Sequence, residues 1–398
     1  MKLANDLAAV CCVTLGLVAG ASGYNLALHW QGSGGAGVGN YGVASNWQEG
    51  VIPGLSDLAA FNNTANRDWA ITFTDNVTND TFSIVVPSAN CETSFNLNQR
   101  TYWVTNSLNI WTGSCGRVTI SNGVLKVKTA GFTPSPDGAA TNLALNVRNA
   151  SLELESAMFS AAYATFDSGS LWVSNRLNIG GVNRGKTTLR LTNGVRCGVT
   201  NELNVGFESG ATGEIVNVDG VLRHSGVNTC AIGVSGYGTM TLIGGTTRVD
   251  RAVTLGSALL SIGNLNVLGG SNTFSTVSND RLNVGDSGKG YLLGGGGTNN
   301  IIGLVLGNSP GGYGEATITG GVWRVAEHMW AGMSGRGVFT ISGGQMFFTG
   351  GGPVMSIGRN AGATGGSRLR GVLWIWAATA QSGWVVQIRG RGLWAGSS

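Results

Sequence analysis

Leu203-Asn204-Val205-Gly206, Cys230-Ala231-Ile232-Gly233, Val253-Thr254-Leu255-Gly256 and Leu282-Asn283-Val284-Gly285 are copies of one element, apolar-x-apolar-Gly, and its recurrence decides the fold. It appears first as Leu177-Asn178-Ile179-Gly180 and continues through Leu304-Val305-Leu306-Gly307, Met329-Trp330-Ala331-Gly332 and Met355-Ser356-Ile357-Gly358. Gly180 and Gly358 enclose seven intervals over 178 residues, so the mean repeat is close to 25, with single intervals of 22 to 29. Self-similarity at such a period marks stacked supersecondary units, and the variation in length is what loop insertions produce.

Between successive anchors lies an alternating stretch closed by a glycine turn, as in Met240-Thr241-Leu242-Ile243-Gly244-Gly245 and Val338-Phe339-Thr340-Ile341-Ser342-Gly343-Gly344. Val118-Thr119-Ile120-Ser121-Asn122-Gly123 and Leu189-Arg190-Leu191-Thr192-Asn193-Gly194 repeat it upstream. Period-two alternation is the mark of a strand with one buried face, and Asn-Gly or Gly-Gly supplies the positive φ of a tight corner. A third short apolar stretch comes next, for example Val322-Trp323-Arg324-Val325. Two or three brief strands per repeat suit one coil of a parallel β-helix. A β-propeller blade needs about 40 residues or more, which this period lacks. A hairpin meander or a sandwich uses the same signals. Stacked coils are preferred because each element then pairs with its own copy in the next coil and buries a continuous apolar column. Leu203, Leu282 and Leu304 would form that column, with Val205, Val284 and Leu306 beside them. The expected fold is all-β, a parallel β-helix (β-solenoid) of about 25-residue coils with an N-terminal capping segment.

Composition agrees. The 398 residues include 67 Gly but only 24 Lys and Arg and 20 Asp and Glu, a profile that disfavours helices. A hydrophobic fraction of 42% with 12 Trp, 12 Phe and 7 Tyr excludes a disordered chain. The net charge of +4 comes from scattered residues, with no basic run, so nucleic acid is not an expected partner.

Four segments divide the sequence. Residues 1–23 read as a signal peptide: Lys2, an apolar stretch from Leu7 to Ala21, then Ala21-Ser22-Gly23. The apolar run falls short of the ~20 residues of a spanning helix, so the expected product is secreted, extracellular or at the cell surface, with no further membrane span. Residues 24–100 are rich in Trp and Gly and read as a cap over the first coil. Residues 101–366 carry the repeats. Residues 367–398 form an atypical Arg/Trp-rich tail without the alternating Thr and Gly-Gly elements; a truncated end, a terminal cap and a membrane-touching amphipathic segment are its alternative readings.

Trp30-x-Gly32-x-Gly34-Gly35, followed by Asn46-Trp47-x-x-Gly50-Val51-x-Pro53-Gly54-x-x-Asp57-x-Ala59-x-Phe61, resembles the start of secreted bacterial proteins with autotransporter-associated β-strand repeats, surface proteins of the PEP-CTERM and autotransporter-passenger kind. The Leu-x-Val-Gly and Gly-x-x-x-Ile-x-Gly-Gly repeats look like theirs, so the resemblance covers roughly residues 28 to 360. It implies a surface-exposed β-helix, often joined to a C-terminal sorting motif or membrane barrel, neither of which is visible in this sequence.

Candidate chemistry is sparse. Cys11 and Cys12 fall in the signal, leaving Cys91, Cys115, Cys197 and Cys230 in a compartment that permits disulfides. Cys91 and Cys115 are about one coil apart and form the candidate pair, with buried thiols the alternative; Cys197 and Cys230 are unassigned. Trp30 and Trp47 are candidate glycan contacts, weighed against burial in the cap. Gly180-Gly181-Val182-Asn183-Arg184-Gly185-Lys186-Thr187 satisfies the phosphate-loop expression, yet Thr188-Leu189-Arg190-Leu191 beyond it alternates like a strand, whereas nucleotide binding requires a helix there. Gly32-Ser33-Gly34-Gly35-Ala36-Gly37 fits the dinucleotide pattern with no strand and helix around it. His29, His224 and His328 have no partner at metal-ligand spacing. Glu202, Glu208, Glu214, Asp219, Asp250, Asp280, Asp286 and Glu315 occupy unrelated coil positions, so no acid/base pair or calcium site is evident. No catalytic, metal or cofactor-binding residue is assigned and no cofactor is expected. The expected function is a non-catalytic secreted or cell-surface structural or adhesive solenoid whose partners are surface or matrix polysaccharides. A β-helix polysaccharide lyase or hydrolase is the alternative, and a glycan-binding module the third reading.

Overall fold

The computed structural model describes residues 26–369 apart from 64–66, 87–90, 113–115, 135–142, 161, 182–184, 350–353 and 361, together with the strands 373–376, 385–388 and 394–396. It is a parallel β-solenoid with coils roughly 25 residues apart. Each coil contributes one strand to each of three parallel sheets. The anchor sheet contains Glu202–Val205, Cys230–Ile232 and Val253–Leu255. The long sheet contains Thr212–Asn217, Tyr237–Leu242 and Ile262–Val267. The short sheet contains Val221–His224, Thr246–Val249 and Ser271–Phe274.

Register follows the repeat. Leu203 pairs with Cys230, Cys230 with Val253, Val253 with Leu282, and Leu282 with Leu304, while Val205, Ile232, Leu255, Val284 and Leu306 run alongside. Every member of both columns is buried, so like side chains stack on like along the axis. Cys197 and Cys230 sit in such columns, between Leu171 and Leu222 and between Leu203 and Val253, where they act as small apolar groups. Burial pushes both thiols up to about 12, well away from reactivity.

Two columns of glycine make the corner between anchor and long sheets. Gly206, Gly233, Gly256, Gly285, Gly307 and Gly332 all adopt positive φ. Their N–H groups donate to the preceding coil, as Gly233 does to the Val205 carbonyl at 2.7 Å. Facing them, Gly213, Gly238, Gly263, Gly290, Gly314 and Gly337 stack at the second position of the long strands. A Cβ on Gly238 would lie 2.2 Å from the Gly233 nitrogen and 2.5 Å from the Val205 oxygen, so backbone meets backbone with no room for a side chain. At the corner between long and short sheets, the expected left-handed residues appear as Asn122 and Asn193, then as Gly245, Gly270, Gly297, Gly321 and Gly344. Asn122 there donates to Asn96 and accepts from Asn149, each at 3.2 Å, so the amides stack from coil to coil.

Parallel pairing extends into residues 24–100, the segment read as a cap. Ala27–His29 pairs with Leu58–Ala60, and Val38–Asn40 with Ala70–Thr72, so residue 100 marks no break in the parallel pairing. Residues 30 to 50 fold back over this end through a lone antiparallel bridge between Trp30 and Trp47 and two single-turn 3₁₀ helices. The edge of the first strand is occupied: Glu49 accepts from the His29 N–H at 2.8 Å, its other oxygen lies 2.7 Å from the imidazole, and Gln48 N–H donates to the His29 carbonyl. Pairing changes sense where the sequence changes: Trp394–Gly396 runs antiparallel to Gly366–Arg368, and Leu373–Trp376 antiparallel to Val385–Ile388. The signal-peptide segment 1–23 lies outside the described residues. Among those described, no helix is long and apolar enough to cross a membrane.

His224 interrupts an apolar column, between Val199 and Val249. Nε2 donates to the Asn201 carbonyl at 2.9 Å, and Nδ1 is buried with no partner among the described residues. Burial lowers its pKa, opposed by the Asn201 carbonyl and by Asp250. The unfolded chain therefore binds the proton more tightly, so stability is full above the free-imidazole value of ~6.5 and declines as the pH falls below it. Replacing His224 with Leu is expected to flatten that acid limb in denaturation midpoints followed from pH 8 to 5. A limb unchanged in the variant would place its origin elsewhere. The glycine columns give a second expectation. Gly194→Ala, at positive φ but with open space around it, costs about 1 kcal/mol. Gly238→Ala has to displace backbone and costs several times more, and equal losses in urea titrations would contradict the close-approach account.

Candidate functional site

Tyr102-Trp103-Val104-Thr105 and Leu171-Trp172-Val173-Ser174 occupy equivalent places in the short sheet. In both, strand parity buries the residues flanking the tryptophan and turns the tryptophan outward: Trp103 is 53% exposed and Trp172 46%. Register places them on one outward column, Trp103 to Lys126 to Glu153 to Trp172. Three rungs at ~4.8 Å separate the two indoles by ~14 Å along the axis. The next rung is Gly198, and a Cβ there would fall 2.0 Å from the six-membered ring of Trp172. The missing side chain lets that ring lie over the sheet while almost half the residue faces solvent.

Between the tryptophans, the Lys126 Nζ lies 2.9 Å from Glu153 Oε2, with the two side chains 45% and 40% exposed. Lys128 and Glu155, two residues further along the same strands, are also exposed. Thr105, Val127, Leu154, Val173, Ser174 and Thr200 complete a groove of about 650 Å³. The same strands run back to the corner, where Asn96, Asn98, Gln99, Asn122, Asn149 and Ser151 line a second depression of about 510 Å³. Val124 and Ser151 belong to this amide-lined hollow, and Lys126 and Glu153, two residues on, to the tryptophan groove. One face therefore joins two aromatic platforms, balanced charges and a cluster of amides. Flat aromatic surface suits the apolar C–H face of a sugar ring, and amides, hydroxyls and charges suit its hydroxyl groups.

The residues singled out in the sequence fall elsewhere. Trp30 and Trp47 are 2% and 1% exposed, packed edge to face at 5.2 Å among Tyr41 and Phe61. Their indole N–H groups donate to the Gly37 and Tyr41 carbonyls. Covering the first coil takes them out of solvent, so neither offers a ring to a glycan. Cys115 lies outside the described residues; Cys91 is buried and its carbonyl accepts from Arg117 N–H, which stacks it on Gly116. Lys186 opens the strand Lys186–Thr192, so no helix starts at the phosphate-loop lysine.

The carboxylates considered in the sequence are spread out, and several are tied to cations: Glu202 to Arg176, Glu214 to Lys186, Asp250 to Arg223 and Arg248, Asp280 to Arg251. Glu214 and Glu315 do share an outward column, but four rungs, ~19 Å, separate them. His29 pairs with Glu49, and His328 stacks on Trp330 at 3.8 Å beneath the Arg359 guanidinium. No group of three or more metal-ligating side chains occurs among the described residues.

Trp103 and Trp172 were missed because Tyr-Trp-Val and Leu-Trp-Val conceal the alternation: three apolar residues in a row do not show which one faces out. The neighbouring strands show it. Leu125-Lys126-Val127 and Leu152-Glu153-Leu154 place a charge at the same coil position. Trp323, in Val322-Trp323-Arg324-Val325, has the opposite parity and is fully buried. The fold implied by the resemblance, a parallel solenoid, is the one observed, and the resemblance itself rests on the quoted motifs alone. No family model matches the chain, and neither does any curated protein or solved structure.

Proposed function

We propose that the protein is a non-catalytic, exported β-solenoid, a stiff rod of the cell surface or its matrix, that holds polysaccharide along its short sheet. The observation that carries this reading is the outward column Trp103–Lys126–Glu153–Trp172, in which two solvent-facing indoles flank a polar groove three rungs long. Scattered single hydrophobics on a surface are ordinary; two tryptophans at matched coil positions, one seated over a glycine, form a built surface. A rigid scaffold supports it, since platforms fixed on strands lose little freedom on binding. Export is supported by the apolar stretch Leu7 to Ala21, and a surface role by the resemblance to secreted repeat proteins.

A lyase or hydrolase is the second reading, favoured by one observation. Glu153 and Glu155 point outward from one strand, ~7 Å apart by strand rise, within the spacing of paired carboxyls in inverting hydrolases, ~6.5–9.5 Å. Against it, Glu153 is engaged by Lys126 and the groove is open to water.

Both readings are tested by passing the purified protein over a panel of immobilised polysaccharides while assaying for released oligosaccharides. Retention without cleavage is expected, with Trp103→Ala and Trp172→Ala each weakening affinity about tenfold, or ~1.4 kcal/mol, without loss of fold. Unaltered retention in both variants would remove this face from the reading. Oligosaccharide release abolished by Glu153→Gln or Glu155→Gln would replace the adhesive rod by an enzyme.

A further inference from the structure

The coil from 162 to 179 crosses all three sheets. Trp172 lies on its short-sheet segment; Tyr163 lies on its long-sheet segment, beyond the corner at Ser168 and Gly169, whose φ values are 57° and 92°. Tyr163 is 47% exposed and lies on an outward column, after Arg117 and Ala144, in which it pairs with Thr188, and Thr188 with Glu214. The polar side chains beside it are organised: Lys186 Nζ lies 2.8 Å from Glu214 Oε2, and the Thr188 hydroxyl donates to the same oxygen at 3.0 Å. Arg190 and Val216 close a groove of about 370 Å³ around them. The parts are like those of the tryptophan groove, an outward ring beside hydroxyls and a cation–carboxylate pair, but the charge balance differs. Lys126 and Lys128 face Glu153 and Glu155 two against two, whereas Lys186 and Arg190 face Glu214 alone.

We infer that the rod carries a second, separate sugar site on its long sheet, at Tyr163, Lys186 and Arg190, that takes an acidic polysaccharide, so that one molecule bridges a uronate-bearing chain and a neutral one. This rests on the reading of outward aromatic rungs as sugar platforms. Tyr163 supplies the ring face, and Arg190 is free to meet a carboxylate in the two-pronged geometry that guanidinium favours, while Lys186 is already held by Glu214. The two grooves open on different faces of one rigid coil, so occupying one leaves the other accessible. A matrix component built this way gains avidity from simultaneous engagement.

The test uses two immobilised probes, alginate as the uronate polymer and a neutral β-glucan, with the full chain and the variants Tyr163→Ala, Arg190→Gln and Trp172→Ala. Tyr163→Ala and Arg190→Gln are expected to lower alginate retention about tenfold and leave glucan retention unchanged, with Trp172→Ala doing the reverse. Alginate retention, alone of the two, is expected to fall with added salt. The wild-type protein should also agglutinate alginate-coated with glucan-coated beads, and each tyrosine or tryptophan variant should not. Glucan retention with no alginate retention, or alginate retention lost in Trp172→Ala and kept in Tyr163→Ala, would overturn the second site while leaving the short-sheet site standing. Failure to retain either polymer would overturn both.

Discussion

Backbone packed directly on backbone at one corner is the constraint on which the rest of this solenoid depends. The column of Gly206, Gly233, Gly256, Gly285, Gly307 and Gly332 turns the chain with positive φ, and the column of Gly213, Gly238, Gly263, Gly290, Gly314 and Gly337 lies against it with no space for a Cβ. Because each glycine of the turning column also hydrogen-bonds the coil before it, the corner sets the position of every rung relative to its neighbour. Sheet register, and hence which side chains stack, is inherited from it. Stability is then close to a sum over neighbouring coils, since a coil contacts little beyond the ones above and below.

The interior leaves little freedom and the exterior a great deal. Inward positions accept aliphatic and aromatic residues, an occasional Cys, His224, and polar side chains that find partners inside, as Asn272 does in donating to Asn299. Outward positions carry no such demand, so Lys, Glu, Trp, Tyr and Thr follow one another down a column without disturbing the fold. Surface chemistry can therefore vary one face at a time: the outward aromatics Trp103, Tyr163 and Trp172 lie in the coils between residues 100 and 180, and Tyr237 lies further along.

The period, the anchor columns and the Asn-Gly and Gly-Gly corners were legible in the sequence because each repeats at a fixed place and each has a single steric cause. The facing glycine column was written just as plainly, as Tyr237-Gly238, Lys289-Gly290 and Tyr313-Gly314, but its purpose shows only once two backbones are side by side. Residues 27 to 100 hid their strands behind irregular spacing: Leu28 and Ala59 are rung-mates 31 residues apart, and Ala59 and Phe82 only 23. The candidate site was least legible, for a related reason. Exposure of a tryptophan depends on parity, and parity is lost in runs such as Tyr102-Trp103-Val104, whereas Trp30 and Trp47 stood out among turn residues and are buried.

The carboxylate of Glu49 at the edge of Ala27–His29 bears on how large an object this protein makes. A stack of identical rungs has no intrinsic reason to stop, and a bare parallel edge would template another chain as readily as its own next coil. With the His29 amide held by Glu49 and its carbonyl by Gln48, that edge is blocked at His29, and the negative charge meets any approaching strand with a desolvation cost. At that place the fold acts as a stop rather than a seed: the next rung is refused by a side chain of the protein itself, so adding a coil there takes a change in the coding sequence and not a rise in concentration.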